Sequence, residues 1–166
     1  MSKHPSLFRT VLLSALLLIP ATLYSTPRPQ SSDDVRLSGS VSPDKTEKGR
    51  TVRGHVTMVI PNGLHVQSNK PLDKFLIATK LDVETPSGMT VGPIIYPRAL
   101  MRTLKFSKGK VAVFEGTAPI RFHVTIPASY SGGSGEIMGK LRFQACNDDA
   151  CFPPVTREVK MWLNVE

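Results

Sequence analysis

No segment of this sequence repeats its apolar residues at the three-to-four spacing of a helix, which excludes a helical bundle or a helix-covered parallel sheet. No apolar run reaches the roughly 20 residues of a membrane-spanning helix. The longest, Val11–Ile19, ends at Pro20, and carrying it on to Tyr24 still leaves it short. There is no glycine-rich phosphate loop with a strand before it and a helix after it; Gly132-Gly-Ser-Gly135 is hairpin loop material. No local Ser/His/Asp motif supports nucleophilic catalysis. Cysteine is nearly absent, with Cys146 and Cys151 the only two in 166 residues. Acid is in short supply, 13 Asp and Glu against 21 Lys and Arg.

What is present begins with an export pattern. Lys3, His4 and Arg9 precede the short apolar run, as in a secretory signal, here assigned to residues 1–25. An uncleaved anchor is the alternative. Either way the body of the protein is expected in the periplasm or secreted, where disulfides persist. Losing Lys3 and Arg9 lowers the net charge from +8 to +6. Nucleic acid is not an expected partner for an exported protein. One basic run carries no acid: Arg98, Arg102, Lys105, Lys108 and Lys110. It reads as a surface that steers an acidic partner protein, or as ordinary loop charge.

After the signal, residues 26–44 read as a flexible, proline-rich leader with a possible first edge strand at Val35–Val41. The remaining 45–166 form one domain, long enough to bury a core without help from a disulfide. Val52, Val56, Met58 and Ile60 alternate with Arg53, His55 and Thr57, the period of a half-buried strand. The same period returns at Ile120–Ile126, at Ile137–Phe143 and at Val159–Val165. Shorter strands are expected at Leu64–Ser68, Ile77–Thr85, Met89–Tyr96 and Val111–Phe114. Pro97–Gly109 lacks β alternation and reads as a loop. About eight short strands separated by Gly/Pro turns imply an all-β, antiparallel sandwich.

His55, His65 and His123, with the cysteines and methionines, suggest copper only weakly. No pair has ligand spacing, and His55 and His123 lie on polar strand faces. No metal and no cofactor are expected. The cysteines remain. Cys146-Asn-Asp-Asp-Ala-Cys151 joins two strands, with Asn-Asp-Asp as turn formers and Pro153-Pro154 delaying the second strand. Four intervening residues let the sulfurs bond in such a connection. Two readings fit: a redox-active pair on a rigid scaffold, or a structural staple worth roughly 2 kcal/mol on the chain-entropy model. Asp148 and Asp149 should disfavour a thiolate, unlike the activated cysteine of a Cys-x-x-Cys helix start.

Three stretches resemble a known family. They are Asn62-Gly-Leu-His-Val-Gln-Ser-Asn-Lys-Pro71, Thr90-Val-Gly-Pro-Ile-Ile-Tyr-Pro97 and Phe143-Gln-Ala-Cys-Asn-Asp-Asp-Ala-Cys-Phe-Pro-Pro-Val-Thr-Arg157. Together, in this order, they are similar to the N-terminal periplasmic domain of the thiol:disulfide interchange protein DsbD. The resemblance implies an immunoglobulin-like sandwich whose redox pair, Cys146 and Cys151, passes electrons to thioredoxin-fold proteins. It implies that Cys151 makes the mixed disulfide. It sets Pro97–Gly109 where the family has a cap, with Phe106 as the shielding aromatic. It sets His65 and Gln67 where some members have tyrosines beside the pair.

The expected protein is an exported, monomeric thiol:disulfide exchange module. It has no integral membrane domain and takes electrons from a separate donor, for which a membrane protein is a candidate. The alternative is a non-catalytic immunoglobulin-like binding or adaptor module with a structural disulfide.

Overall fold

The computed structural model describes residues 30–166. The signal-like segment and the first part of the leader lie outside them. Strands follow one another along the chain: β1 (Arg36–Ser42), β2 (Lys45–Thr46), β3 (Thr51–Ile60), β4 (His65–Gln67), β5 (Lys80–Glu84) and β6 (Thr90–Val91). Then come β7 (Leu100–Thr103), β8 (Lys110–Phe114), β9 (Gly116–Thr125), β10 (Gly135–Phe143), β11 (Ala145–Cys146) and β12 (Val155–Val165). The fold is all-β and of the immunoglobulin-like class.

Two sheets make the sandwich, in the orders β1-β3-β9-β6 and β2-β12-β10-β5. Their inner faces carry the alternating apolar residues, which share one core: Val56, Met58, Ile120 and Phe122 from one sheet, Ile137, Leu141, Phe143, Met161 and Leu163 from the other. Each large side chain taken out of water here contributes about 1.5–3 kcal/mol. Gly39 on β1 lets the sheets close, because a Cβ there would lie 2.6 Å from a methyl of Val159 on β12. Among the described residues all strand pairs are antiparallel except β2 with β12, which is parallel.

A third, smaller sheet in the order β11-β4-β8-β7 stands beside the sandwich. It differs from the sequence expectation. Leu100–Thr103, read as loop, is a strand paired with Lys110–Phe114. All four of its residues are exposed, so neither face is apolar and no alternation exists to be read.

The leader also differs. Ser32–Asp34 is a turn of 3-10 helix closed by a capping box: the Ser31 hydroxyl accepts from the Asp33 amide, and the Asp34 carboxylate accepts from the Ser31 amide. Arg157 on β12 holds this turn, donating to Val35 O at 2.8 Å, Ser32 O at 2.9 Å and Asp33 Oδ1 at 2.6 Å. Val35 is fully buried behind it. The polar composition that reads as a flexible leader here supplies the groups that dock it. β1 then pairs with β3 over its whole length at the edge of the sheet, as expected of the first edge strand at Val35–Val41.

Candidate functional site

Cys146 closes β11, and its partner across the sheet is His65 on β4. The chain then turns at once. The Asn147 side-chain oxygen accepts from the amides of Asp149 and Ala150 at 3.0 and 2.8 Å, and the Phe152 amide donates to Ala145 O at 2.8 Å. This turn brings Cys151 back to Cys146, and the two form a disulfide with Cα atoms 3.9 Å apart. The sulfurs are not equivalent in access. Cys146 is 0% exposed, whereas Cys151 is half-buried at the surface.

Gln67 and His65, both on β4, flank the pair. Gln67 is 0% exposed, and its Nε2 donates to Cys146 Sγ at 3.3 Å and points more distantly at Cys151 Sγ, 3.9 Å away. Its Oε1 is buried and has no hydrogen-bond partner. Its backbone is fixed, with its amide donating to Gln144 O and its carbonyl accepting from the Thr79 hydroxyl. His65 bridges two carboxylates: Nδ1 to Glu115 Oε1 at 2.7 Å and Nε2 to Asp148 Oδ1 at 3.2 Å. Glu115 is also held by Arg102, whose guanidinium keeps its carboxyl below the usual carboxylate range.

The β7–β8 turn reaches the cysteine loop through Lys105. Its amide donates to Asp148 O at 2.9 Å and its ammonium pairs with Asp149 at 3.0 Å. Phe106, beside it, is half-buried and packs with Leu76 against a satellite cluster of Leu104, Val111 and Val113. The turn therefore meets the loop between the cysteines at Asp148 and Asp149, through Lys105.

The basic run is not one unopposed surface. Arg102 is paired with Glu115 and Lys105 with Asp149, acids drawn from other segments. Arg98, Lys108 and Lys110 are exposed and without an ion-pair partner among the described residues. Asp148 and Asp149 are likewise engaged, Asp148 hydrogen-bonded to His65 and Asp149 paired with the Lys105 ammonium. Sequence reasoning missed Glu115 and Gln144. Gln144 ties the loop down, its side chain accepting from the Ile77 amide and donating to Phe152 O. Glu115 sits in no motif and is placed by His65 and Arg102; Gln144 lies within the cysteine stretch, but its partner Ile77 is 67 residues away and no local pattern points to it.

Residues 39–162 match the family described as thiol:disulfide interchange protein DsbD, N-terminal. Among curated proteins, none matches this sequence. Solved structures of similar shape include the reduced N-terminal domain of DsbD from Neisseria meningitidis. It has 19% identity and a TM-score of 0.43, over 67% of this chain and 77% of that one. The N-terminal periplasmic domain of ScsB from Proteus mirabilis has 11% identity and a TM-score of 0.48, over 78% of this chain and 45% of that one. A complex of the DsbD N-terminal and PilB N-terminal domains from Neisseria meningitidis has 17% identity and a TM-score of 0.45, over 75% and 80%.

Proposed function

The chain belongs to the family of DsbD N-terminal domains, and from that membership we propose that it is an exported thiol:disulfide exchange module relaying electrons between thioredoxin-fold partners. The observation that carries this reading is the asymmetry of the pair. A half-buried Cys151 is bonded to a fully buried Cys146, both within residues 39–162 that match the family. A partner thiolate can reach only the outer sulfur. It attacks Cys151 Sγ, the intramolecular S–S bond breaks, and Cys146 leaves as a thiolate. The second partner sulfur then resolves the mixed disulfide. The partner is oxidised to a disulfide and this pair is reduced to two thiols. Run in reverse, the same steps pass the electrons on. Lys105 and the turn beside it act as a cover that a docked partner displaces.

Two measurements test this. The reduction potential of the pair should lie near −200 mV, while a value below about −300 mV marks a staple. Cys146→Ala should trap a mixed disulfide with a thioredoxin-fold protein, and Cys151→Ala should not. Trapping by both variants, or by neither, sinks the assignment of Cys151 as the exchanging sulfur.

A further inference from the structure

Gln67 Oε1 is the buried side-chain oxygen or nitrogen that finds no partner among the described residues, and it belongs to the side chain whose other end touches the disulfide. A buried polar atom left unpaired costs free energy, and such atoms call for an explanation. Nothing in the fold requires a glutamine here. Its neighbours in sequence, Val66 and Ser68, are buried too, and an apolar side chain would fill the same space without an orphan.

The chemistry of the pair supplies the explanation. Disulfide sulfurs can only accept a hydrogen bond. A carboxamide has one donating end and one accepting end, so the oxidised pair can satisfy the amide nitrogen and never the carbonyl oxygen. Reduction changes the inventory. Two electrons and two protons convert the S–S bond into two S–H groups, each of which can donate. The intermediate is matched as well. When a partner thiolate takes Cys151, the electron pair of the broken S–S bond goes to Cys146 Sγ. That sulfur already receives the Gln67 Nε2 donor at 3.3 Å. A donor in place before the charge develops, in a site closed to water, stabilises a leaving thiolate without reorganising.

We propose that Gln67 is a catalytic residue of the exchange: Nε2 stabilises the departing Cys146 thiolate, and Oε1 accepts an S–H once the pair is reduced. The consequence is a side chain matched to the dithiol and mismatched to the disulfide. It makes the pair faster to open and easier to keep reduced than the same pair on an apolar wall. This proposal rests on the exchange reading, but its test does not depend on that reading being right.

The test uses the whole domain, with Gln67→Leu and Gln67→Met as two apolar replacements of similar volume. Reduction by dithiothreitol should slow about tenfold in both, the size of a lost hydrogen bond to a charged sulfur. Equilibration in glutathione buffers should shift about fivefold toward the disulfide. The oxidised variants should melt no lower than wild type, because the orphan oxygen is gone. Unchanged rate and equilibrium in folded variants would overturn the proposal. Should neither variant fold, the wild type alone decides. The side-chain amide resonances of Gln67 should move on reduction, and identical positions in the two redox states would also overturn it. The absolute potential of the wild type tests the exchange reading separately: a low potential with a Gln67 effect rejects the relay and keeps the role of Gln67.

Discussion

Arg102 and Glu115 form a two-point ion pair, with guanidinium Nε and Nη2 donating to Oε1 and Oε2 at 2.8 and 2.7 Å. The same Oε1 lies 2.7 Å from His65 Nδ1, so one carboxylate joins the exposed strand β7 to β4, the strand that lies against the disulfide.

This joint should be visible in acid. The Glu115 carboxyl is held below its ordinary value of 4.5, chiefly by the hydrogen bond from Arg102. A depressed folded-state value means that the unfolded chain takes up the proton first as pH falls. The stabilisation is therefore complete above pH 4.5 and is lost as pH falls through the lower folded-state value. Glu115→Gln should lower the melting temperature by a few degrees at neutral pH, about 1 kcal/mol for a partly exposed pair. Melting curves of the two proteins should converge once the pH has fallen through that lower value. A gap that persists there would mean that packing, not charge, holds Glu115.

Partner steering should depend on the cations that are free to act at a distance. Neutralising Arg98, Lys108 and Lys110 together should slow the reaction with an acidic thioredoxin-fold partner about tenfold at low salt and flatten its salt dependence. Reduction by dithiothreitol should not change. Neutralising Arg102 and Lys105 should alter the salt dependence less, because each is already opposed by an acid. Stopped-flow rates across a salt series distinguish the two sets; equal slopes would show that pairing does not mask these charges.

Phe106→Ala tests the cover. Removing a half-buried ring from its packing on Leu104, Val111 and Val113 should loosen the β7–β8 turn. Dithiothreitol should then reduce the pair severalfold faster, with a drop in melting temperature of only a few degrees. A lower melting temperature with an unchanged rate would make Phe106 an ordinary packing residue.

Arg157→Ala should release the N-terminal turn, since one guanidinium makes its contacts to Ser32, Asp33 and Val35. Limited proteolysis should then cut before Arg36, and the melting temperature should fall. Arg157→Lys should rescue little, because an ammonium cannot reproduce the planar fork. Resistance to protease in the alanine variant would show that burial of Val35 alone is enough.

Legibility in the sequence followed burial. β3, β9, β10 and β12 each bury one face, and their alternation is visible in the residues. β7 buries neither face and escapes a period-two reading, whereas β8, which buries four consecutive residues, matches the strand expected at Val111–Phe114. The cysteine pair was legible from its spacing and the turn formers inside it. Gln67 was placed beside the pair only through resemblance, because Val66, Gln67 and Ser68 are all buried and break the alternation. The pairing of Arg102 with Glu115 and Lys105 with Asp149 joins residues 13 and 44 apart, which no local pattern encodes.

Leu104, Val111 and Val113 form a cluster of their own, separate from the large core of the sandwich. The smaller cluster is expected to open more readily than the large core. Opening the hairpin exposes this small cluster first, although Phe114 at the end of β8 packs in the large core with β3, β9, β10 and β12. In native-state hydrogen exchange, the amides that pair β7 with β8 should exchange at a lower free energy than those of β9, through sub-global opening. The cysteine pair shares its sheet with this hairpin, so opening of β7 and β8 is expected to bare its surroundings without unfolding the sandwich.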